Sequence, residues 1–134
     1  MKAIYVAHPT GSGKRLISRR DPTSLKVNDG FVKYGKTLNF ESRASDYRDD
    51  NDNKVDIWPV VCCCKFTKIE IQRLETAIGR RVKEFRQRNP ESRERKKPAL
   101  LEWCLGISAD RLKQIVREEY DKFRDLTCAH ARAV

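Results

Sequence analysis

Apolar positions cluster into short strand-like runs early in this chain and recur at helical spacing later. Residues 3–7 (AIYVA) form a β-rich run closed by Pro9 and Gly11, and residues 31–35 (FVKYG) form a second opened by Asn28, Asp29 and Gly30. These predict two strands of a widely spaced hairpin, whose long basic connection could reach a ligand. Asn39 is placed to cap a helix running to about Arg48, with Phe40 and Ala44 four apart on one face. The polar stretch DYRDDNDNKVD ends it.

Residues 57–66 (IWPVVCCCKF) are nearly continuously apolar and too short for a helix, which predicts a third, central strand with Pro59 near its start. From Thr67 the period changes: Ile71, Leu74, Ile78, Val82 and Phe85 predict a helix to about Arg88, stopped before Pro90. Thr67 with Glu70 is a capping-box pair at its start. After the charged segment PESRERKKP, ALLEWCL reads as a short edge strand. A last helix behind Ser108 carries Leu112, Ile115, Val116, Tyr120 and Phe123 as one apolar stripe, a core-facing pattern. This order of elements implies a small α+β fold, and 134 residues are enough for one domain with one core.

Charge narrows the partner. Lys and Arg number 29 against 19 Asp and Glu, and the resulting net +10 favours a polyanion such as nucleic acid. Acidic lipid would suit the charge equally. No apolar run approaches the ~20 residues of a membrane span, and the N-terminus lacks the apolar stretch of a signal peptide, so an intracellular (cytoplasmic) protein is expected. Cys62, Cys63, Cys64, Cys104 and Cys128 are odd in number and three are adjacent, which suits a reducing compartment better than a disulfide framework. The adjacent three are expected to act as small apolar residues in a buried strand.

PTGSGKR, residues 9–15, imitates a phosphate-binding loop, but His8 stands where its first Gly belongs and Arg15 where it needs a magnesium-binding hydroxyl. That reading fails. A better constellation joins Ile4-Tyr5 in the first strand, Lys33-Tyr34-Gly35-Lys36-Thr37 ending the second, and Arg43 eight positions after Gly35. This resembles the GIY-YIG nuclease superfamily, and FVKYGKTLNFESR resembles its VKIGKT-type phage and bacterial variant, with a lysine at the tyrosine position of the second motif. By that alignment Lys33 holds the second-motif role; a register one residue later gives it to Tyr34. Downstream, Leu74-Glu75, the basic run Arg80-Arg81-Val82-Lys83-Glu84-Phe85-Arg86, and Glu102-Trp103 extend the similarity over roughly residues 3–105. Ala3 replaces the family's first glycine. Gly79 stands where the variant often has histidine, a loss that Tyr47, one turn beyond Arg43, is placed to offset.

The resemblance implies a three-stranded, mainly antiparallel sheet flanked by helices, and a DNA endonuclease using Mg²⁺ or Mn²⁺. In that chemistry Glu75 holds the metal, an oxygen ligand suited to a hard ion. Tyr5 orients or deprotonates the attacking water, with Lys33 lowering its pKa, and Arg43 binds phosphoryl oxygens through its planar fork. Lys36, Arg80, Arg81, Lys83, Arg86, Arg93 and Lys97 are the expected DNA contacts. Each residue also has a plain structural reading: Tyr5 as core aromatic, Lys33 and Arg43 as solvated side chains, the basic run as a hydrated face. Two other functions fit the same sequence, a nucleic-acid-binding protein whose catalysis has decayed and a phage-type inhibitor that binds a host protein.

Overall fold

The computed structural model describes residues 1–10, 27, 29–88 and 100–133, the side chains of 127–133 excepted. Residues 11–15 of the phosphate-loop imitation, Arg93 and Lys97, and the side chains of Cys128 and His130 therefore lie outside the described residues. Strand β1 is Ala3–Pro9, β2 is Phe31–Thr37, and helix α1 is Phe40–Asp50. Strand β3 is Val55–Cys62, and helix α2, Lys68–Arg81, ends in a 3-10 turn, Lys83–Phe85. Strands β4 (Arg86–Arg88) and β5 (Leu100–Leu105) precede the long helix α3, Ala109–Ala133. The fold is α+β, with a C-terminal helix.

One sheet runs in the order β3-β1-β2-β5-β4, with every neighbouring pair antiparallel. It has five strands where the family resemblance implied three. Two expectations about position are corrected with it. Residues 57–66 do not form a central strand: β3 starts at Val55, stops at Cys62 and lies on an edge. Pro59 is the reason an edge suits it, since proline donates nothing to a ladder. Conversely, β5 is not an edge strand but lies between β2 and β4.

The helix from Thr67 also ends earlier than its apolar period implied. Val82 and Phe85 keep the three-residue spacing because a 3-10 turn has that same period, after which the chain straightens so that Arg86 pairs with Cys104 of β5. The capping signals hold. Asn39 accepts from the Ser42 N–H at 3.1 Å, Thr67 and Glu70 form a reciprocal capping box, and Ser108 accepts from the Arg111 N–H at 3.0 Å.

Alternation along the strands divides the core between two faces. Ile4, Val6, Val32 and Tyr34 face α2 and α3, packing with Leu74, Ile78, Leu112 and Val116. Ala3, Tyr5 and Ala7 face α1, packing with Phe40, Ala44, Tyr47 and Trp103. A bulge in the β1–β3 ladder, between Ile4 and Tyr5, shifts the phase of β3: Val55 and Ile57 join the α1 face, Val61 and Cys63 the other. This explains why the sequence there reads as unbroken apolar. Cys63 alone of the three adjacent cysteines is buried; Cys62 and Cys64 are exposed, contrary to the expectation of three apolar-like residues.

Candidate functional site

Tyr5 lies in β1 opposite Gly35 of β2, and its ring occupies the space above that glycine. A Cβ at position 35 would meet the Tyr5 Cζ and Oη at 2.5 Å, so this close approach requires glycine. Two residues back along β2, Lys33 points to the same face, and the intervening Tyr34 points to the other. Helix α1 crosses the Tyr5 face and supplies Arg43 and Tyr47, four apart and so on one side of it.

These side chains form a connected polar cluster. Arg43 Nη1 donates to Tyr5 Oη at 3.2 Å, and Lys33 Nζ donates to Tyr47 Oη at 2.8 Å. The Tyr5 and Tyr47 rings meet edge to face with centroids 6.0 Å apart. The Lys33 ammonium also lies over the rings of Tyr47 and Trp103, at 5.5 and 5.7 Å from their centroids. Two cations thus bracket two phenols.

The cluster is closed: Tyr5 and Tyr47 are 1% exposed and Lys33 is 3% exposed. Burial accordingly dominates the Tyr5 hydroxyl and pushes its pKa well above the ordinary phenol value. Lys33 and Arg43 pull it down, as expected of neighbouring cations, while Tyr47 pushes it up. The net direction is upward, so Tyr5 stays a neutral phenol near neutral pH. Arg43 is the member that reaches the surface, and its Nε is buried with no hydrogen-bond partner among the described residues.

Beside Arg43 opens a cleft of about 490 Å³, lined by Lys36, Thr37, Leu38, Asn39, Arg43, Lys68, Ile71 and Gln72. Among the described residues its lining has three cationic side chains and no carboxylate. The N-terminal turns of α1 and α2 border it through Asn39 and Lys68, which adds the positive ends of two helix dipoles. Such a cleft suits phosphate.

Glu75 stands on α2 at the side of Lys36, its carboxylate 3.7 Å from the Lys36 ammonium and its side chain 15% exposed. Lys36 also bonds Gln72. Burial raises the Glu75 pKa, opposed by the charge of Lys36, reinforced by Glu102, and opposed again by the Lys36 backbone N–H and by Lys33. Among the described residues no group of three or more His, Cys, Asp and Glu gathers as metal ligands. Glu75 is a carboxylate in a partly desolvated setting, with the charge of Glu102 felt beside that of Lys36.

The remaining sequence candidates divide sharply. Tyr34 is packed into the opposite face, its hydroxyl against Gly79 and its ring under the Arg86 guanidinium at 5.9 Å. Arg86 donates from Nε and Nη2 to the Leu101 and Leu100 carbonyls, at 2.8 and 3.1 Å. Arg81 joins α2 to α3 through Glu118 at 2.9 Å and Glu119 at 3.3 Å. Both are occupied by internal contacts, whereas Arg80 is exposed and Lys83 is too.

A family model for the T5orf172 domain matches residues 3–123. The chain belongs to that family. The T5orf172 match contains every strand, α1, α2 and most of α3, and with them Tyr5, Lys33, Arg43, Tyr47, Glu75 and Trp103. No curated protein and no solved structure gives a significant match. Among the described residues no helix is long and apolar enough to cross a membrane.

Asn39, Lys68 and Gln72 line the cleft although their sequence pattern did not single them out for it. Their signal in the sequence was position alone: Asn39 caps one helix, and Lys68 and Gln72 lie near the start of another. Trp103, given no role of its own in the sequence beyond the Glu102-Trp103 pair, completes the wall around the Lys33 ammonium with its ring.

Proposed function

We propose that this T5orf172 domain is a metal-dependent endonuclease of GIY-YIG type that hydrolyses phosphodiester bonds in DNA, acting inside cells. The observation that carries this reading is the joining of a cationic cleft to the Tyr5–Arg43 pair at one side and to Glu75 at the other, through Arg43 and Lys36. The family and the net +10 support a nucleic-acid partner.

In this reading Arg43 and Lys36 bind the phosphate non-bridging oxygens, and Arg43 directs its paired donors at charge that grows in the transition state. Tyr5, as a neutral phenol, fixes the Arg43 guanidinium from behind and takes no part as a base. Lys33 and Tyr47 hold Tyr5 in turn. The Glu75 carboxylate fits a hard divalent cation: it is an oxygen donor, partly desolvated, with Glu102 adding negative charge. Bound Mg²⁺ or Mn²⁺ would supply positive charge to the phosphate and the leaving oxygen. Lys36 is the counter-charge at that carboxylate.

A second reading, nucleic-acid binding without hydrolysis, draws on the near-complete burial of Tyr5 and Lys33. Incubating the protein with supercoiled plasmid, with Mg²⁺, with Mn²⁺ and with chelator, separates the two. Nicking that needs the metal supports the nuclease. DNA retention without nicking in either metal supports the binder.

A further inference from the structure

Three consecutive thiols at the end of β3 occupy two different settings. Cys63 is buried in the core, its N–H bonded to the Lys2 carbonyl at 2.8 Å and its carbonyl accepting from Phe66 at 2.9 Å. Its neighbours Cys62 and Cys64 are exposed on the same side, with their sulfur atoms 3.0 Å apart. Cys62 ends β3 and Cys64 lies in the turn that follows it, so the chain bends there and brings the two side chains together. The anchored Cys63 backbone keeps the pair in register. None of the functional machinery uses these thiols.

We propose that Cys62 and Cys64 form a reversible thiol modification site, oxidised to an intramolecular disulfide by small disulfides of the glutathione class. The Cys62 thiolate attacks one sulfur of the small disulfide, whose S–S bond breaks and releases one thiolate. The Cys64 thiolate then attacks the Cys62 sulfur, forming the intramolecular bond and releasing the second thiolate. In total the protein gives up two electrons and two protons, and the small disulfide leaves as two thiols.

Chemical selectivity follows from the surroundings. The hydrogen bond with Cys64 draws the Cys62 pKa down, helped by the Met1 ammonium. Burial pushes Cys63 up to about 11 and Cys104 up to about 12, which keeps both as unreactive thiols.

The test treats the full chain with glutathione disulfide, quenches with acid, unfolds and alkylates with N-ethylmaleimide, and digests with trypsin. The peptide of residues 55–65 carries all three thiols. It should be two hydrogens lighter and carry one maleimide, on Cys63, and dithiothreitol before alkylation should restore three labels. In Cys64→Ser protein, Cys62 should instead retain glutathione. A wild-type peptide with glutathione left on either outer cysteine, with all three thiols alkylated, or with Cys63 in the disulfide would overturn the proposal. Cys63→Ala protein, treated in the same way, must still lose two hydrogens.

Discussion

Replacing Gly35 with alanine adds one methyl group at the point where β2 passes under Tyr5. That Cβ would fall 2.5 Å from both Cζ and Oη of Tyr5 and 2.9 Å from Cε1, closer than carbon atoms tolerate. The ring cannot swing away freely, because it is buried, packed edge to face on Tyr47 and bonded to Arg43. Overpacking of this kind costs about 1–3 kcal/mol, and at roughly 4 °C of Tm per kcal/mol for a chain of this size the expected loss is about 4–12 °C. Activity should fall further than stability, since displacing Tyr5 frees the Arg43 guanidinium, and a misplacement near 1 Å costs ~10²-fold. Urea denaturation of Gly35→Ala in wild-type and Tyr5→Leu backgrounds isolates the clash. The leucine lacks the clashing atoms, so the Gly35→Ala cost should nearly vanish there. An equal cost in both backgrounds, or a wild-type cost below about 0.5 kcal/mol, would mean that the Tyr5 ring does not fix the identity of residue 35.

Other outcomes follow from the same geometry. Arg80→Ala with Lys83→Ala should lower the salt slope of DNA binding by about 0.9 for each phosphate no longer neutralised and leave the Tm unchanged. Arg81→Ala should do the reverse, and a double-mutant cycle with Glu118→Ala should give a coupling on the order of 0.2–1 kcal/mol for this partly exposed pair. Arg86→Ala removes two donors from the Leu100 and Leu101 carbonyls, and urea denaturation should register a loss of about 1–3 kcal/mol. Glu75 has a folded-state pKa above its unfolded value, so its stability contribution is complete at low pH and is lost as pH rises through the folded pKa. Glu75→Gln should therefore gain Tm relative to wild type at neutral pH, with the gain shrinking in acid, as thermal melts across that range would record.

Much of the fold was legible because capping and turn chemistry act locally. Asn39, Thr67 with Glu70, and Ser108 start their helices as predicted. The choice between Lys33 and Tyr34, open in the sequence, becomes a matter of strand phase: Lys33 shares the face of Tyr5, and Tyr34 does not. What escaped detection depends on long-range pairing. Strand β4 is three residues long and exists because β5 pairs with it, and no local pattern in RQR announces that. Pro59 did carry a signal for an edge strand, but the apolar run around it, continuous because a bulge changes the phase, pointed to a sheet centre. Charge runs hide partners in the same way. Arg81 and Arg86 look identical to Arg80 in sequence, yet their partners Glu118, Glu119 and the β5 carbonyls lie 14 to 38 positions away. The burial of Tyr5 matches its plain reading as a core aromatic, whereas the burial of Lys33, read as a solvated side chain, results from α1 crossing the sheet.

The proposed metal-dependent reaction would depend most on Glu75, and Glu75→Gln probes the proposal directly. The substitution keeps side-chain size and removes the charge. The measurement is Mg²⁺-dependent nicking of supercoiled plasmid, with Tm followed as Mg²⁺ is titrated. If Glu75 holds the metal, the folded variant still binds DNA, Mg²⁺ raises the Tm of wild type but not of the variant, and nicking falls by at least ~10²- to 10³-fold. Wild-type nicking by folded Glu75→Gln protein would remove Glu75 from the site and the metal-dependent mechanism with it.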